Sequence, residues 1–167
     1  FDETILERLP KNDPRVGFIH ESLSKIHLKL QETASSLLVL KGKPELVWEA
    51  LLQEYAIQEV FWNKDYEPNA MQRDAAVTDI LQSNGVGVTT YKDQVIFEKE
   101  EIVKSDGLPY TVYTPFKNKW LERYKTIAPV IEYDASPYFS NFFKSKFDLL
   151  SLEEIGFAPS SIKVKPH

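Results

Sequence analysis

The stretch EVFWNKDYEPNAMQRDAAV, residues 59–77, contains a strand, a loop and a helix in the order that a parallel α/β fold requires. The short run at residues 59–62, which holds three apolar residues after Glu59, predicts a strand. The polar residues 63–69 predict a loop, and Pro68 stands where a helix begins. Such a succession is half of a strand–helix–strand unit, so the stretch predicts a parallel sheet covered by helices.

Upstream of this stretch the same alternation of helices and strands is predicted. After Asp13-Pro14 the apolar residues follow spacings of three and four, which predicts a long amphipathic helix. They are Val16, Ile19, Leu23, Ile26 and Leu30. The continuously apolar run at residues 36–40 predicts a buried strand, and Pro44 begins a second amphipathic helix that reaches Tyr55.

Downstream, the helix that begins at Pro68 is predicted to end at Asn84-Gly85, a usual carboxyl-terminal cap, and residues 86–91 alternate like a strand. Thr114-Pro115 predicts the start of a short helix through Tyr124. The fold class is therefore α/β, a doubly wound, Rossmann-like parallel sheet.

The last part of the chain lacks this regularity. Residues 126–148 contain prolines and aromatic residues without a sustained period, which predicts an ordered but irregular linker against the domain surface. Residues 150–156 predict a short helical turn. We expect an α/β domain over residues 1–125 and an interdomain linker over residues 126–167.

Composition excludes several classes of function. The net charge of −5 opposes autonomous binding to nucleic acid, and the absence of cysteine excludes disulfides, thiolate metal sites and a cysteine nucleophile. No apolar run approaches the roughly 18 residues that a membrane span needs. We expect a cytoplasmic protein that is a monomer and has no membrane partner.

Familiar catalytic and phosphate-binding motifs are missing as well. The six glycines form neither G-x-G-x-x-G nor G-x-x-x-x-G-K, and no G-x-S-x-G elbow is present. His20 and His27 share a helix face, but no carboxylate completes a metal site with them, and His167 is isolated. We expect no catalytic residue and no metal in this chain.

The densest polar cluster follows the strand at residues 59–62. It contains Lys64, Asp65, Glu67 and Asn69, with Arg73 one turn into the next helix. In an open parallel sheet, ligands bind outside the carboxyl ends of the strands, where a helix start also offers free amides. The cluster is therefore a candidate ligand site. The alternative is a solvated loop whose charges form salt bridges among themselves.

A second cluster, PYTVYTPFKNKW at residues 109–120, is dense in aromatic residues interleaved with lysines. Aromatic side chains of this kind stack on bases in some nucleic-acid-binding proteins. A turn and helix packed against a neighbouring domain explains the same residues, and the acidic composition favours that packing.

Together the two clusters resemble motifs of the photolyase/cryptochrome family. The run NKDYEPNAMQRDAAV at residues 63–77 is similar to that family's Asn-x-Asp-x-Glu-Pro run followed by an Arg-Asp pair. The run PYTVYTPF at residues 109–116 is similar to its Pro-Tyr-x-Val-(Tyr/Phe)-Thr-Pro-(Phe/Tyr) motif. Residues 13–16 and 38–42 give supporting matches.

The resemblance implies that the domain holds an antenna pigment, which is a deazaflavin, another flavin or a folate. By resemblance to deazaflavin-binding members, Arg15 and the loop from Asp65 to Arg73 would line its pocket, including Glu67. Asn69 stands where folate-binding members also place a contact. Ala70, however, stands where those members carry a glutamate.

The resemblance also implies what lies outside this sequence. The family's first strand would precede Phe1, and a helical FAD-binding domain would follow His167, so we expect a fragment that lacks the first strands of its sheet. A gap that upstream residues fill is expected between the strand at residues 36–40 and that at residues 59–62. Partners would be the chain's own FAD domain and, through it, damaged DNA.

The leading hypothesis is thus the antenna domain of a deoxyribodipyrimidine photolyase, a lyase that repairs pyrimidine dimers in light as a full-length protein. The fragment alone is expected to be inactive. A cryptochrome photoreceptor is the first alternative, and an unrelated flavin- or nucleotide-binding α/β module is the second. The second predicts a glycine-rich phosphate loop, which is missing.

Overall fold

A computed structural model describes residues 1–127 and 133–162 of the chain. Residues 128–132 of the predicted linker, and residues 163–167 with His167, lie outside the described part. Contacts divide the chain into two compact units: unit 1 comprises Phe1–Tyr55 and Asp134–His167, and unit 2 comprises Ala56–Tyr133. Their elements in chain order are α1 Glu3–Leu6, α2 Pro14–Gln31, α3 Pro44–Glu54, β1 Glu59–Asn63, α4 Pro68–Ser83, β2 Gly87–Tyr91, α5 Tyr113–Tyr124 and a 3₁₀-helix Ser136–Asn141.

Unit 2 is built on one parallel strand pair. β1 pairs with β2 in a register that runs from Glu59 opposite Gly87 to Asn63 opposite Tyr91. α4 connects the two strands and contacts β2. A parallel pair needs such a crossover because the chain must return to the starting edge before the second strand begins. The predicted strand–helix–strand unit and the α/β class are confirmed.

The core of unit 2 forms where the inner face of α4 meets the following segments. Leu81 is fully buried, and Val77 and Val86 are nearly so. Phe97 and Ile102, from the irregular segment after β2, are buried as well. Phe97 contacts Trp120 of α5 edge-on at 5.3 Å between ring centroids, and Trp120 stacks on Tyr124 at 5.1 Å. Trp120 thus packs within unit 2, whereas packing of its cluster against a neighbouring domain stays a prediction.

Unit 1 has its own core, which joins the two ends of the chain. Leu6 of α1 and Val16 of α2 form a buried cluster with Ile155 and Phe157. Ile155 lies within a turn at residues 152–156, where its amide donates to Ser151 O at 3.2 Å, and Phe157 directly follows this turn. The helical turn predicted for residues 150–156 is thus present, and it supplies half of this core.

The predicted strand at residues 36–40 is wrong. No described strand pairs with these residues, and two of their backbone groups have partners outside any sheet. The Leu37 amide donates to Nδ1 of His27 at 3.3 Å, and the amino group of Phe1 donates to Leu40 O at 2.6 Å. A strand requires a neighbouring strand for its ladder, and an apolar run does not create one.

The region of the predicted linker that the structure describes is ordered by specific hydrogen bonds. After the 3₁₀-helix, Phe143 O accepts a hydrogen bond from Ser35 Oγ at 2.7 Å. The amide of Phe147 donates to Ser36 Oγ at 2.8 Å. The segment beyond the 3₁₀-helix therefore lies against the end of α2.

α2 and α4 end in the same hydrogen-bonded turn but with different residues at its left-handed position. In α4, Val86 N donates to Leu81 O, and the position is filled by Gly85 with φ +76°. In α2, Ser35 N donates to Leu30 O, and Ala34 adopts φ +58°. Glycine takes this conformation without steric cost, whereas alanine is strained by its Cβ.

Exchanging the residues at these two positions should have opposite effects. Ala34→Gly should raise the free energy of unfolding by about 1 kcal/mol because it relieves the left-handed strain. Gly85→Ala, the matched control, should lower it by about 1 kcal/mol, since a Cβ there meets no atom within 4 Å and only the backbone is strained. Urea denaturation measures both changes, and a loss of stability in Ala34→Gly would contradict the interpretation.

Candidate functional site

The carboxyl ends of β1 and β2 lie at the same edge of the strand pair. The amide of Lys64, one residue beyond β1, donates to Tyr91 O at the end of β2 at 2.8 Å. Two segments leave the sheet at this edge: the first edge loop, residues 64–67, leads into α4, and the second edge loop, residues 92–101, follows β2. The predicted location of a ligand site is this edge.

The first edge loop is shaped by its own aspartate. Asp65 Oδ1 accepts a hydrogen bond from the amide of Glu67 at 3.1 Å, which closes a local turn and leaves Oδ2 outside that bond. Glu67 is the N-cap residue of α4, with extended backbone angles. Glu67 and Asn69 are both exposed. Three of the predicted site residues therefore lie together at the start of α4.

The start of α4 offers hydrogen-bond donors. Pro68 occupies the first turn, and within the described residues no side chain caps the helix and no acidic residue lies in that turn. The amides of the first turn and the helix dipole therefore favour a carbonyl or anionic group at the amino-terminal end of the helix. Asp65 and Glu67 supply acceptors beside these donors, so the edge presents both kinds of group to a ligand.

Arg73 lies one turn further along α4 and pairs with its neighbour. Its Nε and Nη2 atoms contact Asp74 Oδ1 at 2.8 and 2.6 Å. Its side chain is about one-third exposed, at 37%. The expected salt bridges among Lys64, Asp65, Glu67 and Arg73 are not what the structure shows.

Instead, Lys64 and Tyr66 turn to Glu98 of the second edge loop. Lys64 Nζ lies 3.3 Å from Glu98 Oε1, and the hydroxyl of Tyr66 donates to Glu98 Oε2 at 2.9 Å. Partial burial raises the pKa of Tyr66, and the hydrogen bond to Glu98 and nearby negative charges raise it further. The tyrosine therefore keeps its proton and acts as a donor.

Glu98 is in turn held by residues of its own loop. Its amide donates to Glu101 Oε2 at 2.6 Å, and the same oxygen accepts from Lys92 Nζ at 2.6 Å. These two hydrogen bonds hold the pKa of Glu101 below its usual range, and the bond from Lys92 has the larger effect. Lys92 also lies 6.0 Å above the ring of buried Phe97. The network is thereby tied to the core of unit 2.

Sequence reasoning missed Lys92, Glu98 and Glu101. The run Glu98-Lys99-Glu100-Glu101 resembles an ordinary solvated segment. Nothing in its spacing distinguishes Glu98 and Glu101, which join the hydrogen-bond network, from Glu100. The one signal in the sequence was that these residues follow β2. Residues that follow β2 must lie at the same edge of the sheet as those that follow β1.

Arg15, the fifth predicted site residue, belongs to unit 1, whereas the other four belong to unit 2. It lies in the first turn of α2, and its Nε and Nη2 atoms donate to the two carboxylate oxygens of Asp13 at 3.0 and 2.6 Å. Asp13 also caps the helix by accepting from the Arg15 amide. The Arg15 side chain is 71% exposed, so its guanidinium has a fixed plane and an open face.

Comparison with known proteins decides the family. The family model described as DNA photolyase matches residues 2–135, which is most of the chain. The chain belongs to the DNA photolyase family. A deoxyribodipyrimidine photo-lyase of Halobacterium salinarum is 32% identical over 158 residues, which cover 95% of this chain and 32% of that protein.

Other members are similar as well. A crystal structure of a class III photolyase from Agrobacterium tumefaciens matches 64% of this chain and 22% of that one, with a TM-score of 0.56 and 28% identity. Cryptochrome-1 of Gallus gallus is 27% identical over 86% of this chain and 24% of its own length. The chain thus spans a third or less of these DNA photolyase family relatives.

His20 and His27, the two histidines within the described residues, each contact a backbone polar group. His20 Nε2 lies 2.7 Å from Leu150 O, and buried His27 accepts from the Leu37 amide.

Among residues 1–127 and 133–162, His, Cys, Asp and Glu side chains form no group of three that could hold a metal. Within the same residues, every helix is too short or too polar to cross a membrane.

The pair between Asp13 and Arg15 should make α2 sensitive to acid. Hydrogen bonds from Arg15 hold the pKa of Asp13 below its usual value, so the folded state binds fewer protons than the unfolded state. The stabilisation is complete above about pH 4 and is lost as pH falls through the lowered pKa. Asp13→Asn keeps a good cap but removes the charge, so its melting temperature should fall less than that of wild type between about pH 5 and about pH 3.

Thermal unfolding of the two proteins at both pH values measures this difference. Arg15→Gln is the matched variant on the other side of the pair, and it should raise the pKa of Asp13 in an NMR titration of the carboxyl group. Equal losses in wild type and Asp13→Asn would show that the pair contributes nothing to acid sensitivity.

Proposed function

We propose that this chain is the antenna-chromophore domain of a deoxyribodipyrimidine photo-lyase, acting within a longer protein that carries FAD and repairs pyrimidine dimers in light. Photo-lyase relatives at about 30% identity support it. The observation that carries the proposal is the edge of unit 2, where two polar loops meet beside the uncapped start of α4. Its partners would be the FAD domain and, through it, damaged DNA.

The residues at this edge fit a flavin-like ring system, whose rim alternates carbonyl and N–H groups. Asp65 and Glu67 would accept from the ring, Asn69 would both donate and accept, and the first amides of α4 would donate to a carbonyl. Arg73, held by Asp74, would border the same edge. When bound, the chromophore would supply light absorption and excitation of the FAD.

The resemblance to deazaflavin-binding members of the family is the ground for proposing that Arg15 helps to position the chromophore. Its bidentate pair with Asp13 fixes the guanidinium at a helix start, where its remaining N–H groups could donate to a ring carbonyl and its face could stack on a ring. The ion pair with Asp13 does not prevent this role, because stacking and hydrogen bonding use the planar guanidinium and do not need an unpaired charge.

A flavin or deazaflavin fits better than a folate. At Ala70, where folate-binding members of the resembled family carry a glutamate, the side chain is 8% exposed and has no polar atom. It therefore offers no acceptor to a pterin ring.

A blue-light photoreceptor of the cryptochrome type is the second candidate, favoured by the similarity to cryptochrome-1 of Gallus gallus. Membership in the family removes the third hypothesis, an unrelated flavin- or nucleotide-binding module. An absorption spectrum of the full-length protein, followed by illumination with dimer-containing DNA, separates the first two. Dimer loss would establish a photolyase, whereas flavin photoreduction without repair would favour the photoreceptor. This chain alone is expected to repair nothing.

Substituting the chromophore site should lower antenna occupancy and spare FAD. In the full-length protein, Asp65→Ala and Arg15→Ala should each reduce antenna affinity about tenfold, because each removes a charged hydrogen-bonding group. The absorption of the antenna band relative to the FAD bands measures occupancy. Asp106→Ala is the matched control, because Asp106 closes the same kind of turn with the Leu108 amide in another exposed loop. Unchanged occupancy in both site variants would place the pocket elsewhere.

A further inference from the structure

The first edge loop carries the proposed ligand groups. Few of its side chains form hydrogen bonds to the rest of unit 2. Asp65 bonds only to the neighbouring Glu67 amide in the contacts described above. The two residues that flank Asp65 both reach Glu98, from Lys64 Nζ and from the Tyr66 hydroxyl. One carboxylate therefore engages both neighbours of the aspartate.

Glu98 is suited to such a role by its surroundings. Its side chain is 20% exposed, so its bonds compete less with water than those of a surface pair. Its backbone is anchored independently, because its amide donates to Glu101, which Lys92 also holds. The acceptor thus comes from a segment whose own hydrogen bonds do not involve the first edge loop.

We propose that Glu98 is a positioning residue that holds the first edge loop in its ligand-facing arrangement through Tyr66 and Lys64. This inference rests on the proposed function for its ligand, but the contact itself is independent of any ligand. Glu98 does not need to touch the chromophore; it fixes the direction in which Asp65 and Glu67 face.

The contact is tested in the full-length protein without added chromophore by hydrogen–deuterium exchange. Glu98→Ala should make the hydrogen-bonded amides of Lys64 and Glu67 exchange about tenfold faster, as expected when the loop loses its hydrogen bonds to a charged group. Glu100→Ala is the matched control in the same acidic run, because the Glu100 side chain is 72% exposed. Its exchange should equal that of wild type.

A double-mutant cycle isolates the hydrogen bond. Tyr66→Phe should accelerate exchange in the same residues, and adding it to Glu98→Ala should change little, since Glu98→Ala already removes the hydrogen bond of Tyr66. Glu98→Gln keeps an acceptor for Tyr66 and should restore part of the protection. In a spectroscopic titration referenced to Tyr66→Phe, Glu98→Ala should lower the pKa of Tyr66 toward its ordinary value.

The link to the ligand is tested with flavin mononucleotide as the probe. Glu98→Ala should release it about tenfold faster than wild type and Glu100→Ala, as expected for the same lost bonds. Wild-type exchange in Glu98→Ala, or faster exchange with unchanged release of the flavin, would overturn the proposal. If wild type itself fails to bind the flavin, the proposed ligand is wrong, and the exchange experiment still decides whether Glu98 holds the loop.

Discussion

The parallel pairing of β1 with β2 is the constraint on which the rest of unit 2 depends. Because both strands run in the same direction, the chain must cross over through α4, and both strands end at one edge. The hydrogen bond from the Lys64 amide to Tyr91 O extends the parallel pairing one residue beyond β1. The meeting of two distant loops, and the helix start between them, follow from this geometry.

Local signals explain which parts of the fold were predictable. Prolines at helix starts and apolar spacing predicted α2, α3, α4 and α5, because these features act within a few residues. The strand prediction succeeded at residues 59–62 and failed at residues 36–40, although both runs are apolar. What distinguishes them is the partner strand, which lies outside either run and cannot be deduced from its composition.

The site divides in the same way. The position of the polar residues 64–69 at the edge of the strand pair could be predicted, since they directly follow a parallel strand, and ligand binding there stays a prediction. The internal pairing of the site could not be predicted, because Glu98 lies 32 residues after Tyr66 in an unremarkable acidic run. Nor did charge alone show that Arg73 would pair with adjacent Asp74 rather than with the acidic residues of the first edge loop. Whether Arg15 joins the other four stays a prediction.

The aromatic contact between the second edge loop and α5 gives unit 2 an optical reporter of its own. Trp120 lies between Phe97 and Tyr124, and Phe97 in turn lies under Lys92 of that loop. Indole emission depends on local polarity and on nearby charges, so displacement of the loop would alter the fluorescence of Trp120. Trp48 lies in unit 1 and Trp62 in β1, so a variant that keeps Trp120 alone would report on this edge without a label.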